Sequence, residues 1–213
     1  MSYDHVQSIV KYALVMLFAG SGLISKSAAA AAAAAEDDPV VMLRSSVNEV
    51  LSVAYSGQST ESLPERVRPA LEKSVAFDLV TRQAMGPGWR QFSPAEQKRV
   101  TDLFSQLVTR AYAARVVGTQ RPKITFGSPS SLAPDRCEIS TQVSTSTSSE
   151  PFAVSYRMVK LPVGWRIYDI LIEGVSFVAN YRAQFDELIQ RGGAQAVIHS
   201  IEAKLATPGV NRS

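Results

Sequence analysis

The sequence predicts an α+β domain in which helices come first, an antiparallel sheet of about four strands follows, and further helices end the chain. Three observations support this prediction. Apolar residues recur at three- and four-residue spacing from residue 40 to residue 112, as on one face of an amphipathic helix. From Ile124 to Ile172 they alternate with polar residues, which indicates strands with one face on a core and the other face wetter. After Gly174 the helical spacing returns.

The first helix is predicted to begin at Pro39, because Asp38 supplies an N-cap and proline suits the first turn. Leu63–Met85 is predicted to form two short helices, which end where Gly86 begins a Gly-Pro-Gly break. The next helix is predicted to begin after Ser93, because Ser93 and Glu96 form the pattern of a capping box. The apolar stripe of that helix consists of Val100, Leu103, Phe104, Leu107, Val108, Ala111 and Tyr112.

Four segments alternate apolar and polar residues and are predicted to be strands: Ile124–Phe126, Cys137–Val143, Phe152–Met158 and Trp165–Ile172. Pro162 and Gly164 mark a hairpin turn between the last two strands. Beyond them, a helical stripe runs from Val175 to Ile189 and ends at Gly192 and Gly193, and a final helix follows. The elements therefore form one domain, predicted to cover residues 36–208, with a short tail at 209–213.

The first 35 residues have the pattern of an export signal. The apolar run Tyr12–Ile24 is about 13 residues long, shorter than the roughly 20 residues that span a bilayer. Ser27–Ala35 is almost entirely alanine, and signal peptidase favours such small residues. We expect cleavage between Ala30 and Ala35 and a periplasmic location for the mature chain.

Charge and residue counts exclude several classes of function. The 22 basic and 19 acidic residues leave a net charge of +3, and basic residues are interleaved with acidic ones, so no stripe for nucleic acid is expected. Beyond the leader the chain has one histidine, His199, and one cysteine, Cys137. These are too few for a metal site built from two or three such ligands and for an internal disulfide. No metal and no cofactor are expected.

Asp169 is the candidate for catalysis, because a carboxylate facing a cavity can act as a general base in small cone-shaped α+β isomerases. By the two-residue period of a strand it is expected to share a face with Trp165, Ile167 and Leu171, which would direct it toward the core. The favoured interpretation is that Asp169 caps or braces neighbouring backbone, because a buried carboxylate must be hydrogen-bonded.

Two segments resemble the MlaC family of periplasmic phospholipid-binding proteins, also called the toluene-tolerance family. The more specific is GWRIYDILIEGVSFVANYRAQF at Gly164–Phe185, a W-R-I-Y-D strand followed by a G-V-S turn and a helix with N-Y-R. The second is FDLVTRQAMGPGWRQFSPAEQ at Phe77–Gln97, and the export signal also fits. The chain departs from the family pattern in its long alanine tract and in Met85, where leucine is usual.

The resemblance implies a mixed helix and sheet fold around a large apolar cavity that holds lipid acyl chains. It also implies a monomeric carrier, not an enzyme, that shuttles phospholipid between an outer-membrane lipoprotein complex and an inner-membrane ABC transporter complex, as part of outer-membrane lipid asymmetry. Arg82, Arg90 and Arg166 are candidates for headgroup or docking contacts. The residues expected to line the cavity lie on inward strand positions and facing helix stripes: Leu103, Leu107, Tyr112, Val154, Tyr156, Ile167, Ile170, Val175, Val178 and Tyr181.

Three alternatives remain at this point. The ligand could be a hopanoid or another terpenoid lipid, since relatives of the family are linked to such pathways. The chain could be an enzyme that uses Asp169 in a cone-shaped cavity. It could also be an interaction module whose core is completely filled, because the spacing of apolar residues does not separate a filled core from a hollow one.

Overall fold

The computed structural model describes residues 37–56, 62–116, 121–145 and 150–207, with the backbone alone for 112–116. The leader and the tail therefore lie outside the described residues. Within these ranges, the helices are α1 (Pro39–Ala54), α2 (Leu63–Ser74), α3 (Phe77–Met85), a 3-10 helix (Gly86–Gln91), α4 (Pro94–Val116) and α5 (Phe177–Ala206). The strands are β1 (Lys123–Ala133), β2 (Arg136–Ser144), β3 (Phe152–Leu161), β4 (Gly164–Ile172) and β5 (Val175–Ser176).

The sheet is an antiparallel meander in the order β1-β2-β3-β4-β5, which confirms the predicted α+β class. The four long strands are those that the alternation predicts, and β5 adds two residues that the sequence-based prediction placed in a helical stripe. Strand β1 is longer than expected and contains two irregularities in its pairing with β2. Tight turns at 134–135 and 162–163 place the β1–β2 and β3–β4 hairpins at the same end of the sheet.

Helix α1 begins as predicted. The Asp38 carboxylate accepts hydrogen bonds from the backbone N–H groups of Val40 (2.7 Å) and Val41 (3.4 Å), which satisfies two of the free donors in the first turn. One side of α1 then packs on the sheet. This contact forms the sheet–α1 layer, in which the buried residues are Leu43, Val47, Leu51, Cys137, Ile139, Val143, Val154, Tyr156, Met158, Trp165 and Ile167.

The capping box that begins α4 is present. The Glu96 carboxylate accepts from the Ser93 backbone N–H at 2.8 Å, and the Ser93 hydroxyl accepts from the Glu96 N–H at 3.3 Å. The hydrogen bonds that the carboxylate accepts from the Ser93 hydroxyl (2.7 Å) and from the Ser93 N–H lower the pKa of the Glu96 carboxyl below its usual value. Helix α4 then runs beside α5, and both pack with α3 and the 3-10 helix in a second core, the helical layer.

Helix α5 is interrupted where the sequence predicts a break. Gly193 has φ 61° and ψ −151°, a conformation that is essentially confined to glycine. Before the kink, Arg182 donates to the Gln83 carbonyl of α3, and the Tyr181 and Phe185 rings contact Phe104 of α4. After the kink, Glu202 pairs with Arg99 of α4 at 2.7 Å. The kink therefore allows the residues on both sides of it to pack in the helical layer.

The second face of the sheet is only partly wet. On β2 it carries the exposed Ser140 and Gln142, as expected. Near the β3–β4 hairpin, however, Val159 and Tyr168 are buried in the helical layer. The expectation of one buried and one wet face therefore holds for β2 and is wrong for β4, because α3 and α5 cover β4 from the side opposite α1. None of the described helices is both long enough and apolar enough to cross a membrane.

Candidate functional site

The ten residues expected to line a cavity are divided between the two layers. Val154, Tyr156 and Ile167 are buried in the sheet–α1 layer, and Ile170 is half-buried against it. Leu103, Leu107 and Val178 are buried in the helical layer, and Tyr181 is partly buried against it. Two residues fall in neither group: the side chain of Tyr112 lies outside the described residues, and Val175 is 39% exposed at the sheet edge.

The sheet–α1 layer contains residues that the sequence-based set did not include. Leu43, Val47 and Leu51 of α1 face the strands and are at most 1% exposed. Their helical spacing identified them as a buried stripe, but spacing does not indicate which surface a stripe meets. Cys137 belongs to the same layer, and burial raises the pKa of its thiol.

Polar groups within the sheet–α1 layer are mostly paired. The Thr141 hydroxyl donates to the Val154 carbonyl at 2.8 Å, and the Trp165 indole N–H donates to the Asp37 carbonyl at 2.9 Å. The Tyr156 hydroxyl is different, because it is completely buried and has no hydrogen-bond partner among the described residues. An unpaired buried hydroxyl costs roughly 1–3 kcal/mol. Burial also raises the pKa of Tyr156, so its hydroxyl remains protonated.

The helical layer has aromatic side chains at its centre. The Phe104 ring lies 4.9 Å from the Tyr181 ring and 5.3 Å from the Phe185 ring between centroids, and both pairs are edge-to-face. Edge-to-face packing stabilises a pair of aromatic rings by more than the burial of their apolar area alone. Gly88 fits against this layer so closely that a Cβ there would lie 2.6 Å from the Ile189 side chain. The helical layer therefore has the properties of a packed structural core.

Asp169 does not share a face with Trp165 and Ile167, so that prediction is wrong. Pairing with β3 shifts between Arg157, which lies opposite Asp169, and Met158, which lies opposite Ile167. Tyr168 is the extra residue, and such a bulge reverses the facing of the residues after it. Beside the bulge, the Ile167 carbonyl accepts a hydrogen bond from the Ala76 backbone N–H at 2.9 Å.

The Asp169 carboxylate braces the start of α5, in agreement with the favoured interpretation. Its Oδ2 accepts from the hydroxyl of Ser176, the N-cap residue, at 2.6 Å. Its Oδ1 accepts from the backbone N–H of Val178 at 3.1 Å and of Ile170 at 2.9 Å. Arg157 lies 3.5 Å from Oδ2. These partners occupy the carboxylate oxygens that a general base would use, and a carboxylate at a helix N-terminus also complements its dipole.

The three candidate arginines are separate from one another. Arg82 is exposed and borders a surface cleft of about 630 Å³ between α3, the 3-10 helix and α4. Arg90 is exposed on the 3-10 helix, and the half-buried Arg166 donates to the Trp165 carbonyl at 2.8 Å. None of the nine lining candidates whose side chains are described borders the cleft. Its mixed polar wall consists of Asp78, Leu79, Arg82, Trp89, Pro94, Gln97, Lys98, Thr101 and Asp102.

Other chemistry is sparse in the part of the chain that the structure describes. No group of three or more His, Cys, Asp and Glu residues is arranged to hold a metal ion there. His199 is exposed on α5, and Cys137 is buried in the sheet–α1 layer.

Comparison with known proteins identifies the family. The family model described as MlaC protein matches residues 44–203. The chain belongs to the MlaC family. A phospholipid-binding protein from Ralstonia solanacearum, solved in complex with a phospholipid, is a structural relative with a TM-score of 0.72 and 25% sequence identity. The match covers 79% of this chain and 97% of the relative. No curated protein matches the chain. Membership of the MlaC family supports binding or transport of lipid and not catalysis.

Proposed function

We propose that this MlaC-family chain is a periplasmic carrier that covers the acyl chains of a phospholipid and shuttles it between membrane complexes. The observation with most weight is the relative's complex with a phospholipid, because the matched region spans 97% of that chain. The leader with its alanine tract supports export. The paired Asp169 carboxylate argues against the alternative enzyme.

The need for a carrier follows from the cost of exposing lipid to water. Two acyl chains contain about 30 methylenes in total. Exposing each methylene to water costs roughly 0.8 kcal/mol, so exposing both chains costs roughly 24 kcal/mol. The carrier must therefore cover the chains throughout, and release requires docking onto a membrane complex that continues the apolar path. The exposed Arg82 and Arg90 are proposed docking contacts, since exposed charges direct encounter with a partner.

Within the carrier, we assign the acyl chains to the sheet–α1 layer. A single helix covers this face of the sheet, and its N-terminal end is attached through Asp37, which contacts Trp165 and Lys160. The helical layer, by contrast, is linked across α4 and α5 by aromatic contacts, by the Arg99–Glu202 ion pair and by the Gln195–Glu96 hydrogen bond. Separation of α1 from the sheet would therefore open an apolar space and leave these contacts of the helical layer intact, and α1 would stay packed on α2 through Val50, Ala54, Val67 and Ala70.

Identification of the bound ligand tests the function. The protein is purified from cells without detergent and extracted with organic solvent, and the extract is identified and quantified by mass spectrometry. We expect phospholipid at about one molecule per chain. An unrelated exported protein of similar size, purified in the same way, gives the background. Recovery of a terpenoid lipid instead would support the alternative ligand, and recovery of no lipid would contradict a carrier of either kind.

A further inference from the structure

The Tyr156 hydroxyl is an unexplained polar group in the sheet–α1 layer. Its strand neighbours are Ile139 on β2 and Ile170 on β4, and Leu43, Val47 and Leu51, which α1 buries in the same layer, are apolar. Of the described residues, the nearest polar side chain on the same face along β2 is Thr141, and its hydroxyl is already bonded to the Val154 carbonyl. Phenylalanine would fill the same volume without an unsatisfied donor, so the hydroxyl needs a separate explanation.

We propose that the Tyr156 hydroxyl donates a hydrogen bond to an ester carbonyl of the bound lipid and so selects diacyl lipids. This inference rests on the proposed function, because it requires a lipid in the sheet–α1 layer. No described residue of the protein is a hydrogen-bond partner of this hydroxyl. A ligand bound in the layer would supply the missing acceptor.

The partner is a neutral acceptor and not the phosphate. No lysine, arginine or histidine is among the buried residues that the structure describes, and an anion without a counterion is strongly disfavoured in such surroundings. In a diacyl phospholipid, the neutral acceptors nearest the chains are the two ester carbonyls. A carbonyl at Tyr156 therefore places the chains among the apolar residues and the phosphate toward solvent. A terpenoid hydrocarbon that has no oxygen cannot accept this bond, so Tyr156 would also disfavour such a ligand.

Competition between two lipids that differ only in this carbonyl tests the proposal. Delipidated protein is loaded from an equimolar mixture of a diacyl phosphatidylethanolamine and its dialkyl ether analogue, with the same headgroup and chain lengths. Mass spectrometry then gives the ratio of the two lipids bound. One ordinary hydrogen bond corresponds to about a fivefold preference. We expect the wild-type protein to prefer the diacyl lipid by about that factor, and Tyr156→Phe to bind both lipids about equally.

Tyr168→Phe is the matched control. Tyr168 is the other buried tyrosine of the β3–β4 hairpin, but it lies in the helical layer, so its replacement should leave the preference unchanged. Equal loading of the two lipids by the wild-type protein would overturn the proposal, and this outcome does not depend on whether the variants fold. A preference that persists in Tyr156→Phe would also overturn it. The proposed function fails separately if neither lipid is loaded by the wild-type protein.

The unliganded protein gives an independent readout. Because Tyr156→Phe removes a buried donor that has no partner, the delipidated variant should melt at a temperature no lower than the wild type. Its lipid-induced rise in melting temperature should be smaller. A delipidated variant that melts well below the wild type would show that the hydroxyl is bonded within the protein, for example to the buried Asn48 Oδ1, and would contradict the proposal.

Discussion

At the scale of single residues, Asp169 shows how a conspicuous carboxylate can be structural. Its two oxygens accept hydrogen bonds from Ser176, Val178 and Ile170, and these bonds fix the junction between the sheet and α5. The sequence correctly suggested a buried, bracing carboxylate. It could not indicate the face of the strand, because the bulge at Tyr168 is not marked in the sequence and lies beside a contact with Ala76, some 90 residues earlier.

Replacement of Asp169 by Asn should destabilise the fold. The amide group turns one acceptor into a donor that faces the Val178 N–H or the Ser176 hydroxyl, so at least one hydrogen bond at the start of α5 is lost. We expect a loss of about 1–3 kcal/mol in the free energy of unfolding, measured from urea titrations. The lipid content of the folded protein should stay at the wild-type level.

Asp78→Asn is the control, because Asp78 is exposed on α3 and its replacement should change the stability by less than about 0.5 kcal/mol. If Asp169→Asn were as stable as the wild type, the bracing role of Asp169 would be wrong. If the wild-type protein turned over a substrate and Asp169→Asn abolished that turnover, the enzyme alternative would regain support.

At the scale of elements, the division into two layers is the part of the site that the sequence did not reveal. Caps, glycine breaks and alternation marked most boundaries, because these signals are local: Asp38, Ser93 and Gly193 each act within one turn. The partner of an apolar stripe is set by long-range packing instead. Leu103 and Val154 were therefore grouped as lining residues although they lie in different cores.

The two tryptophans allow the proposed location of the lipid to be tested. Trp165 is in the sheet–α1 layer, and Trp89 packs on the helical layer. Bromine atoms quench indole fluorescence at short range, so a phospholipid with brominated acyl chains should strongly quench the Trp89→Phe protein, which retains Trp165. The Trp165→Phe protein, which retains Trp89, serves as the matched comparison and should be quenched much less. Stronger quenching of Trp89 would place the chains in the helical layer and contradict our assignment.

At the scale of the whole molecule, the predictions for the leader and for the domain rest on different observations. The family match begins at residue 44, beyond the leader, so the leader's role rests on its composition. We expect protein recovered from the periplasm to begin between residues 31 and 36, as measured by intact mass and N-terminal sequencing.

Interruption of the leader provides the control for export. Leu17→Arg places a charge within the apolar run Tyr12–Ile24 and should leave the chain at full length inside the cell, because insertion of an arginine into an apolar segment is costly. Wild-type protein that keeps its first 35 residues and stays with the membrane would instead indicate an anchor.

The proposed export to the periplasm would place Cys137 in an oxidising compartment. Disulfides form there by attack of a thiolate on another sulfur, and this chain has a single cysteine. Its side chain is 5% exposed beneath α1, and burial keeps it in the unreactive thiol form. A closed carrier is thereby protected from covalent dimerisation, whereas separation of α1 from the sheet would expose the sulfur. The rate at which a thiol reagent labels the native protein would therefore report how often the carrier opens.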